Sequence, residues 1–474
     1  MRWLIAGALA FYAIQLVADE KELVSVYLDR QQEKHAALAM KLWDLAELGY
    51  LETRSSALLQ TSLERAGFEV QAGIAGLPTA FVASYGEGKP VIGILAEFDA
   101  LPGISQSASP VREALADKPN GHACGHHLFG TGSLAAAKAV KHWIDRHEVK
   151  GTVRLYGTPA EEGGSGKVYM VREGLFSDVD AMLHWHPGDR NAADPATSLA
   201  NKSARFTFTG ISAHAAAAPH LGRSALDGVE AMNYMINLMR EHVPQEARMH
   251  YVITQGGEAP NVVPDHAQVY YYIRHPNAWT LLTIWDRVIT TAQAAAQGTG
   301  TEVDIEVMHG NHPLLPNNVL ARVMHGNLVR VGGITYTEEE QEFAQQISRS
   351  FLETTDYSGL ESQVMPLSME EGKGSTDVGD VSWNVPTTGL RTATWVPGTA
   401  AHSWQAIAAG GTSIGAKGMH VAAKTLAFTV IDLMRNPLLI SRATEEMRQR
   451  QGRDFVYVPL LGDREPPLGY RLNQ

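Results

Sequence analysis

A short segment rich in cysteine and histidine is the first place in this sequence where residue types and spacing could do chemistry. Residues 121–127 contain Cys124, the single cysteine of the chain, together with His122, His126 and His127. A thiolate and imidazoles this close together, beside glycines that let an ion approach the backbone, are typical transition-metal ligands. The alternative is a buried free cysteine beside histidines that start a helix. The segment therefore predicts a metal site whose remaining ligands come from elsewhere in the chain.

Acidic and histidine residues further along the chain could complete such a site. Glu161 and Glu162 are adjacent, so one carboxylate can bind a metal while its neighbour acts as a general base on water. His184, His186 and His402 are candidate ligands. Taken singly, the acidic pair could be a solvated turn and each histidine a core or loop residue. In combination with the cysteine segment, these residues favour metal-assisted hydrolysis.

Three predicted strands must position these groups. An apolar run at residues 91–96 is typical of a strand buried on both faces of an α/β sheet, and it ends at Glu97 and Asp99. A strand at residues 152–157 precedes the acidic pair, and one at residues 181–183 leads into the histidines. Because open α/β sheets bind ligands at the carboxyl ends of their strands, we expect the candidate residues to meet there.

The length of 474 residues is too great for one compact core, so we expect two domains. A helical pattern runs over residues 20–67, and strands are predicted near residues 378–385 and 388–394. Between residues 200 and 315 the predicted order β-α-β-β-α-β is typical of a ferredoxin-like α+β unit. We therefore predict an α/β protein with an inserted domain. The predicted parts are a signal peptide at 1–18, a catalytic domain at 19–199 and 316–445, the inserted domain at 200–315 and an extended tail at 446–474.

The N-terminus has the layout of a secretory signal peptide. Arg2 precedes an apolar run over residues 3–14, and small residues come before the acidic Asp19. An ordinary N-terminal helix is the alternative. We expect a periplasmic or secreted protein, with a cytoplasmic location as the alternative, and no later stretch has the ~20 apolar residues of a membrane span.

Charge and cysteine content exclude some classes of function. The chain has 39 Lys+Arg against 51 Asp+Glu, a formal net charge of -12, which argues against a nucleic-acid-binding protein. One cysteine excludes an internal disulfide. An anionic small-molecule substrate would have to be recognised by local basic groups.

The order of these motifs resembles the dinuclear-metal amidohydrolases of the aminoacylase/carboxypeptidase superfamily. The resemblance runs through residues 97–102, 122–126, 161–163, 186, 210–216 and 402. The Cys-Gly-His form resembles the branch of hippurate and auxin-conjugate hydrolases. The B-type chains of p-aminobenzoyl-glutamate hydrolases are closer still, on residues 185–188, 219–227, 261–264, 375–383 and 399–405. The resemblance covers about residues 20–435. It implies a zinc-peptidase-like catalytic domain, with a mixed central sheet flanked by helices, and an inserted ferredoxin-like dimerisation and lid domain.

The resemblance also implies the roles of individual residues. It implies two divalent ions per chain, zinc or manganese, bound by Cys124, His126, Glu162, His186 and His402. Glu161 would be the general base, and Asp99 would hold a ligand histidine from behind. The spacing from Glu162 favours His186 over His184. His127 stands where relatives usually carry Asp or Asn, which leaves its effect on the site open.

The inserted domain is implied to complete the site in a homodimer. His214 would reach the partner subunit's site and stabilise the oxyanion of the tetrahedral intermediate. Asn261 and Arg274 would bind a substrate carboxylate, for which a guanidinium is well suited. A structural cap and a surface ion pair are the alternatives for these two residues.

The function implied by the resemblance is hydrolysis of an amide between an acyl or aroyl group and a carboxylate-bearing amino acid, as in p-aminobenzoyl-glutamate. One alternative is a metallo-dipeptidase that uses the same groups on a substrate with a free amino group. Another is a non-catalytic partner of a related hydrolase, since the B-type relatives are described as working with a sister subunit.

Overall fold

The polypeptide is organised around two β-sheets, each with its own hydrophobic core. The computed structural model describes residues 2–352 and 358–472, apart from the side chains of residues 2–18 and residue 370. Within that part of the chain, no helix is both long enough and apolar enough to cross a membrane.

A six-stranded mixed sheet forms the centre of the larger unit. Its strands are β1 (Glu69–Ala72), β2 (Phe81–Glu87), β3 (Val91–Ala96), β4 (Gly151–Gly157), β5 (Ala181–Gly188) and β12 (Thr387–Ala393), in the spatial order β1-β2-β4-β3-β5-β12. The strands β4, β3, β5 and β12 pair in parallel. Strand β2 pairs antiparallel with β4 on one side and with β1 on the other. All of β3 is buried, as its apolar composition predicts. A short pair, β6 (Ala196–Thr197) and β11 (Glu370–Glu371), lies outside this sheet.

Helices flank the central sheet, which confirms the predicted fold class. They are α1 (Arg2–Leu45), α2 (Thr53–Glu64), α3 (His126–His147), α4 (Gly166–Arg172), α7 (Asn318–Val331), α8 (Glu338–Ser348), α9 (Val378–Ser382), α10 (Trp404–Gly410), α11 (Ser413–Arg435) and α12 (Pro437–Gln451). Helix α3 packs on β3, β4 and β5, while α1 and α11 pack on α3. The start of α3 is therefore held directly over the strands that carry candidate ligands.

The second sheet has four antiparallel strands and carries two helices. Its elements are β7 (Ala200–Thr209), α5 (Ala225–Met239), β8 (Arg248–Gln255), β9 (His266–His275), α6 (Ala278–Thr299) and β10 (Glu302–Asn311). The strand order β10-β7-β9-β8 is that of a ferredoxin-like fold. Alternate residues of β9 are buried against α5 and α6, so the intervening residues occupy the opposite face of the sheet. We call this unit, residues 200–311, the lid domain, after the role that the resemblance implies for it.

Some predicted elements are wrong. Residues 378–385 do not form a strand, because Val378, Val381 and Val385 are buried with helical spacing and residues 378–382 form α9. The helical pattern predicted at residues 20–67, with Gly49 as a stop, is confirmed as two helices, α1 and α2, and Ala46 and Tyr50 have positive φ angles in the break between them.

The prediction for the N-terminal end of the chain is not tested, and the predicted boundary at the C-terminal end is too early. Helix α1 includes residues 2–18, whose side chains lie outside the described part, so the signal peptide stays a prediction. At the other end, α12 continues past the predicted boundary at residue 446. Residues 452–472 contain no helix or strand, but Leu460 and Leu461 are buried.

Candidate metal centre

The carboxyl ends of β3, β4 and β5 bring the predicted residues to one place. Glu97 and Asp99 directly follow β3, and Glu161 and Glu162 follow β4. His186 lies within β5, next to β3 in the sheet. This is the edge at which an α/β sheet binds its ligands.

Two loops add the remaining residues. Leu101 and Gly121 exchange both of their main-chain hydrogen bonds, at 3.0 Å each, which draws the loop after β3 to the cysteine segment. The main-chain N–H of His402 donates to the carbonyl of Ala123 at 2.9 Å. His402 is therefore fixed beside Cys124 although the two residues are far apart in the sequence.

Two groups of candidate ligands share the Cys124 thiol. Cys124, His126 and His186 form one, and Cys124, Glu162 and His402 form the other, with the ligand atoms of each group within 4.8 Å of one another. Cys124 Sγ is 3.4 Å from His186 Nε2, and His402 Nε2 is 3.2 Å from Glu162 Oε1. Five side chains thus frame two adjacent positions with one shared sulfur.

Buried polar atoms at these positions fit a bound cation. Glu162 Oε1, His126 Nε2 and Glu97 Oε2 are buried and face other groups of the centre, with His402 Nε2 3.2 Å from Glu162 Oε1 and His126 Nε2 3.1 Å from Glu97 Oε2. Apart from these close approaches, the three atoms have no hydrogen-bond partner in the described chain. Buried polar atoms without partners are rare in proteins, because each costs free energy. Thiolate, imidazole and carboxylate are together the donor set of a zinc-like divalent ion. The residues present therefore fit the metal that the sequence predicts.

The other ring nitrogen is occupied in two of the ligand histidines, His126 and His186. Asp99 Oδ1 lies 2.9 Å from His126 Nδ1, and His186 donates from Nδ1 to the carbonyl of Pro187 at 2.7 Å. Each ring therefore presents Nε2 to the centre, and an acceptor behind it fixes the ring orientation. Asp99 also accepts from the main-chain N–H of Glu162 at 2.9 Å, through Oδ2. It thus couples the two groups of ligands.

His122 and His127 point away from the centre. Their Nε2 atoms hydrogen-bond the carbonyls of Leu42 and Gly410, each at 3.0 Å. Burial lowers the pKa of His122 to about 4 and that of His127 well below its usual value, so both rings are neutral donors. His127 therefore links the start of α3 to the end of α10 rather than binding metal.

The electrostatic field at the centre favours positive charge. Hydrogen bonds with Cys124 and Glu162 raise the pKa of His402 to about 11. Burial raises the pKa of the Cys124 thiol, but the His186 and His126 imidazoles outweigh it and hold that pKa well below its usual value. Burial, with repulsion from Glu97 and Glu162, raises the pKa of Glu161 well above that of an ordinary carboxyl. Excess negative charge is what a bound divalent cation would neutralise.

A buried lysine that the sequence analysis missed lies beneath the centre. Lys167, on α4, is fully buried, with Nζ 2.7 Å from Glu97 and 2.6 Å from Asp377. Burial lowers its pKa, but Asp377 and Glu97 outweigh it and raise the pKa above the usual value, so Lys167 is charged. A lysine within a glycine-rich stretch carries no sequence signal of burial. Only the placement of α4 between two buried carboxylates identifies it.

The ligands open into a cavity of about 250 Å³. Glu161, Cys124 and His402 line one part of it, and residues 314–317 and 387–391 line other parts. Its size suits a small molecule rather than a folded protein. Glu161 therefore faces the space that a small substrate would fill.

The structure does not bring the three predicted lid-domain residues into this cavity. His214 is exposed, and its Nδ1 accepts from the main-chain N–H groups of Ala216 and Ala217. Asn261 is exposed beside it, since residues 214 and 262 form a β-bridge. Arg274 lies on β9, where its guanidinium is 5.3 Å from the ring of Tyr272. Within one chain, His214 and Asn261 lie on a separate exposed surface, while Arg274 is half-buried near the other end of β9.

Comparison with known proteins identifies a peptidase family and related hydrolases. Residues 93–391 match the family described as peptidase family M20/M25/M40. The chain is 40% identical over 450 residues to the B-type chain of Escherichia coli p-aminobenzoyl-glutamate hydrolase, covering 89% of this chain and 93% of that protein. It is 29% identical over 437 residues to mouse Xaa-Arg dipeptidase, covering 89% and 90%.

Solved structures share the fold at low sequence identity. An aminobenzoyl-glutamate utilization protein from Klebsiella pneumoniae superposes with a TM-score of 0.61 at 17% identity, covering 86% of this chain and 98% of that one. A dinuclear metal binding peptidase of family M20 from Bacillus subtilis has a TM-score of 0.58 at 18% identity, covering 86% and 99%.

Proposed function

Because this chain belongs to peptidase family M20/M25/M40 and is a metal-dependent hydrolase of amide bonds, we propose that its substrates are amides of a carboxylate-bearing amino acid with an acyl or aroyl group. The observation that carries the proposal is the pair of ligand groups sharing Cys124, with Glu161 beside them in one small cavity. The 40% identity to one chain of a p-aminobenzoyl-glutamate hydrolase supports an aroyl-glutamate as the first substrate to examine.

Cys124, His126 and His186 would hold one divalent ion, and Cys124, Glu162 and His402 a second, with zinc or manganese as the proposed metals. When bound, the ions supply Lewis acidity that polarises the amide carbonyl and lowers the pKa of water. Asp99 orients His126 and holds the Glu162 main chain, which keeps the ligands in place.

Glu161 is the proposed general base. Its carboxyl group lines the cavity beside the ligand groups, where it can reach a water molecule in the space that a substrate would fill. In the proposed reaction, Glu161 takes a proton from the attacking water and delivers it to the leaving amine. The carboxyl group is thereby returned to its starting state at the end of the turnover.

The lid residues are proposed to act in a homodimer. His214 and Asn261 are exposed together, away from the cavity of their own chain, which is where residues serving a partner subunit would lie. Exposed apolar side chains on β8 and α5, among them Val252 on β8 and Tyr234 and Leu238 on α5, support an interface of the lid domain. In this proposal His214 stabilises the oxyanion, and Asn261 and Arg274 bind the substrate carboxylate.

A dipeptidase is the second candidate function. The similarity to mouse Xaa-Arg dipeptidase over 89% of the chain supports it, and so does the presence of the Asp194 carboxyl group in the cavity wall. An acidic group there could meet a cationic part of a dipeptide. Parallel assays of N-aroyl amino acids and of dipeptides with a free amino group separate the two functions, since only one class should be turned over efficiently.

The test of the main proposal combines metal content with turnover on benzoyl- and aminobenzoyl-amino acids. Wild type should contain about two metal ions per chain and lose activity to a strong chelator. Glu161→Gln should keep the metal but lose at least about a hundredfold in kcat. Activity that survives complete metal removal would refute the mechanism. Metal binding without turnover by the purified chain would instead favour the partner-subunit alternative.

We also propose export to the periplasm or medium, on the basis of the predicted signal peptide at residues 1–18. N-terminal sequencing of the exported protein should show cleavage close to residue 18. An intact N-terminus in cytoplasmic protein would contradict it.

A further inference from the structure

The C-terminal segment, defined here as residues 452–472, connects both domains to the metal centre. Leu460 belongs to the core of the lid domain, whereas the next residue, Leu461, belongs to the core of the catalytic domain. Both are nearly fully buried, at 3% and 4% exposed. The segment therefore passes between the two domains and packs into the hydrophobic core of each.

Polar contacts fix the segment on each side of that crossing. Arg464 pairs with Glu306 at 2.9 Å and donates to the carbonyl of Met308 at 2.6 Å, both on β10 of the lid sheet. On the other side, Arg172 of α4 donates to the carbonyl of Arg464 at 2.7 Å. One residue of the segment thus joins the lid sheet to the helix that carries Lys167.

The end of the segment reaches the turn that carries the general base. Tyr470 Oη donates to the main-chain carbonyl of Glu162 at 3.1 Å, and Arg471 donates to the same carbonyl at 2.6 Å. The Tyr470 ring also packs edge-on against Tyr50, at 5.7 Å between ring centroids. Tyr50 in turn donates to the carbonyl of Gly164 at 2.6 Å.

Glu162 is therefore held through both of its main-chain polar groups. Asp99 accepts from its N–H, and Tyr470 and Arg471 donate to its carbonyl. With both main-chain groups fixed, the backbone from which the Glu161 and Glu162 side chains project is held in place. A shift of about 1 Å in a reacting group can cost about a hundredfold in rate.

We propose that Tyr470 and Arg471 are positioning residues for hydrolysis. They hold the Glu161–Glu162 turn through the Glu162 carbonyl, and the C-terminal segment links this turn to the lid sheet. The inference rests on the proposed function for its kinetic consequence, but the effect on metal retention does not require that any particular substrate be cleaved.

The test compares Tyr470→Phe, Arg471→Lys and the double variant Tyr470→Phe/Arg471→Met with wild type. Leu472→Ala is the matched control, because Leu472 is 66% exposed and adjoins these residues. The double variant should lose about tenfold or more in kcat, with KM within about twofold of wild type. After dialysis against a weak chelator it should retain less metal than the control. Arg471→Lys, which keeps a donor, should recover part of both properties.

Thermal unfolding separates positioning from a purely structural role. The expected midpoint of the double variant is close to that of Leu472→Ala. A lower midpoint with unchanged kcat per folded molecule and unchanged metal retention would overturn the proposal, as would a double variant identical to the control. If the double variant does not fold, Tyr470→Phe alone decides, since it removes one hydroxyl. If wild type cleaves nothing in the panel, the proposed function fails, and metal retention still tests the positioning.

Discussion

Individual ring nitrogens decide which histidines of this protein can hold a metal. His126 and His186 use Nδ1 toward an acceptor and leave Nε2 for the centre, while His122 and His127 use Nε2 toward main-chain carbonyls. These choices depend on where an acceptor lies in the folded chain. The same residue type, a few positions apart, therefore serves two different purposes.

His184 and His186 provide a matched pair for testing the ligand assignment. Both line the cavity, but only His186 belongs to a ligand group with Cys124. Burial lowers the pKa of His184 to about 3, which makes it a neutral core residue. We expect His186→Asn to bind about one ion fewer than wild type, because one ligand group is incomplete. His184→Asn should retain the wild-type metal content, as measured by elemental analysis.

The opposite result would reassign the site. Loss of an ion from His184→Asn, with full content in His186→Asn, would show that His184 is the ligand. Circular dichroism of both variants controls for misfolding, which matters because the His184 ring packs closely against Gly389.

Lys167 makes a strong contribution to stability through its two buried partners. Lys167→Met leaves the carboxylates of Glu97 and Asp377 buried without a counter-charge. We expect the free energy of unfolding to fall by about 3–5 kcal/mol, measured by urea denaturation. Adding Asp377→Asn should restore part of the loss, since it removes one unpaired charge. A loss below about 1 kcal/mol in the single variant would show that water reaches these groups.

Sequence reasoning located residues whose type is distinctive and did not locate those whose role comes from burial. A cysteine between histidines and a Glu-Glu pair are rare enough to identify, and the structure brings Cys124 and Glu162 together. Lysine is common, and nothing near Lys167 in the sequence predicts two buried carboxylates around it. His214 has a distinctive motif, but its partner would lie on another chain.

At the scale of elements, the predicted ends of the buried strands located most of the candidate site residues. The apolar run of β3 was recognised because a doubly buried strand has no polar residues, and its end locates Glu97 and Asp99. The short helix α9 was mistaken for a strand because five residues provide little more than one helical turn of pattern. Its helical state is set by contacts that are distant in sequence.

The cap of α8 predicts a pH-dependent contribution to stability. Thr337 and Glu340 form a capping box, and Glu340 also pairs with Lys417 of α11 at 2.6 Å. Burial raises the pKa of Glu340, but hydrogen bonds from Lys417 and Ser413 outweigh it, and the net pKa is lowered. A lowered folded-state pKa means that stability is present above the unfolded value and is lost as pH falls through the folded value.

We expect Glu340→Gln to lower the free energy of unfolding by about 1 kcal/mol at pH 7, after allowing for solvent screening. The difference from wild type should begin to shrink as the pH falls below the ordinary glutamate pKa of about 4.3, and it should go on shrinking through the lowered folded-state pKa of Glu340. Thermal unfolding across this range measures it. A difference that grows toward acid would contradict the assignment of a charged Glu340.

At the scale of the whole molecule, the path of the C-terminal segment was beyond prediction. A segment without periodic apolar residues gives no indication of which core will receive Leu460 or Leu461. The ferredoxin-like unit was predictable, since its order of elements is visible in sequence. In the proposed homodimer, the contact between two such units would depend on surface side chains, which have no periodic pattern in the sequence.

In the proposed homodimer, we expect the second copy to bind at the β8 edge. Because β8 is the outer strand of its sheet, its main-chain groups are available for pairing, and Tyr251 and Ile253 expose apolar side chains along it. Ile253→Asp places a charge at this edge and should convert a dimer to a monomer in sedimentation velocity. Val329→Asp, at an exposed position on α7 outside the lid domain, is the control and should stay dimeric.

The monomeric variant should separate metal binding from catalysis. Every proposed ligand comes from one chain, so Ile253→Asp should keep its metal content. His214 would no longer reach a second site, and removing one oxyanion donor costs about a hundred- to a thousandfold in kcat. A monomer with wild-type kcat would show that each chain stabilises its own oxyanion. Because His214 lies outside the cavity of its own chain, that outcome would require the lid domain to move toward the centre during turnover.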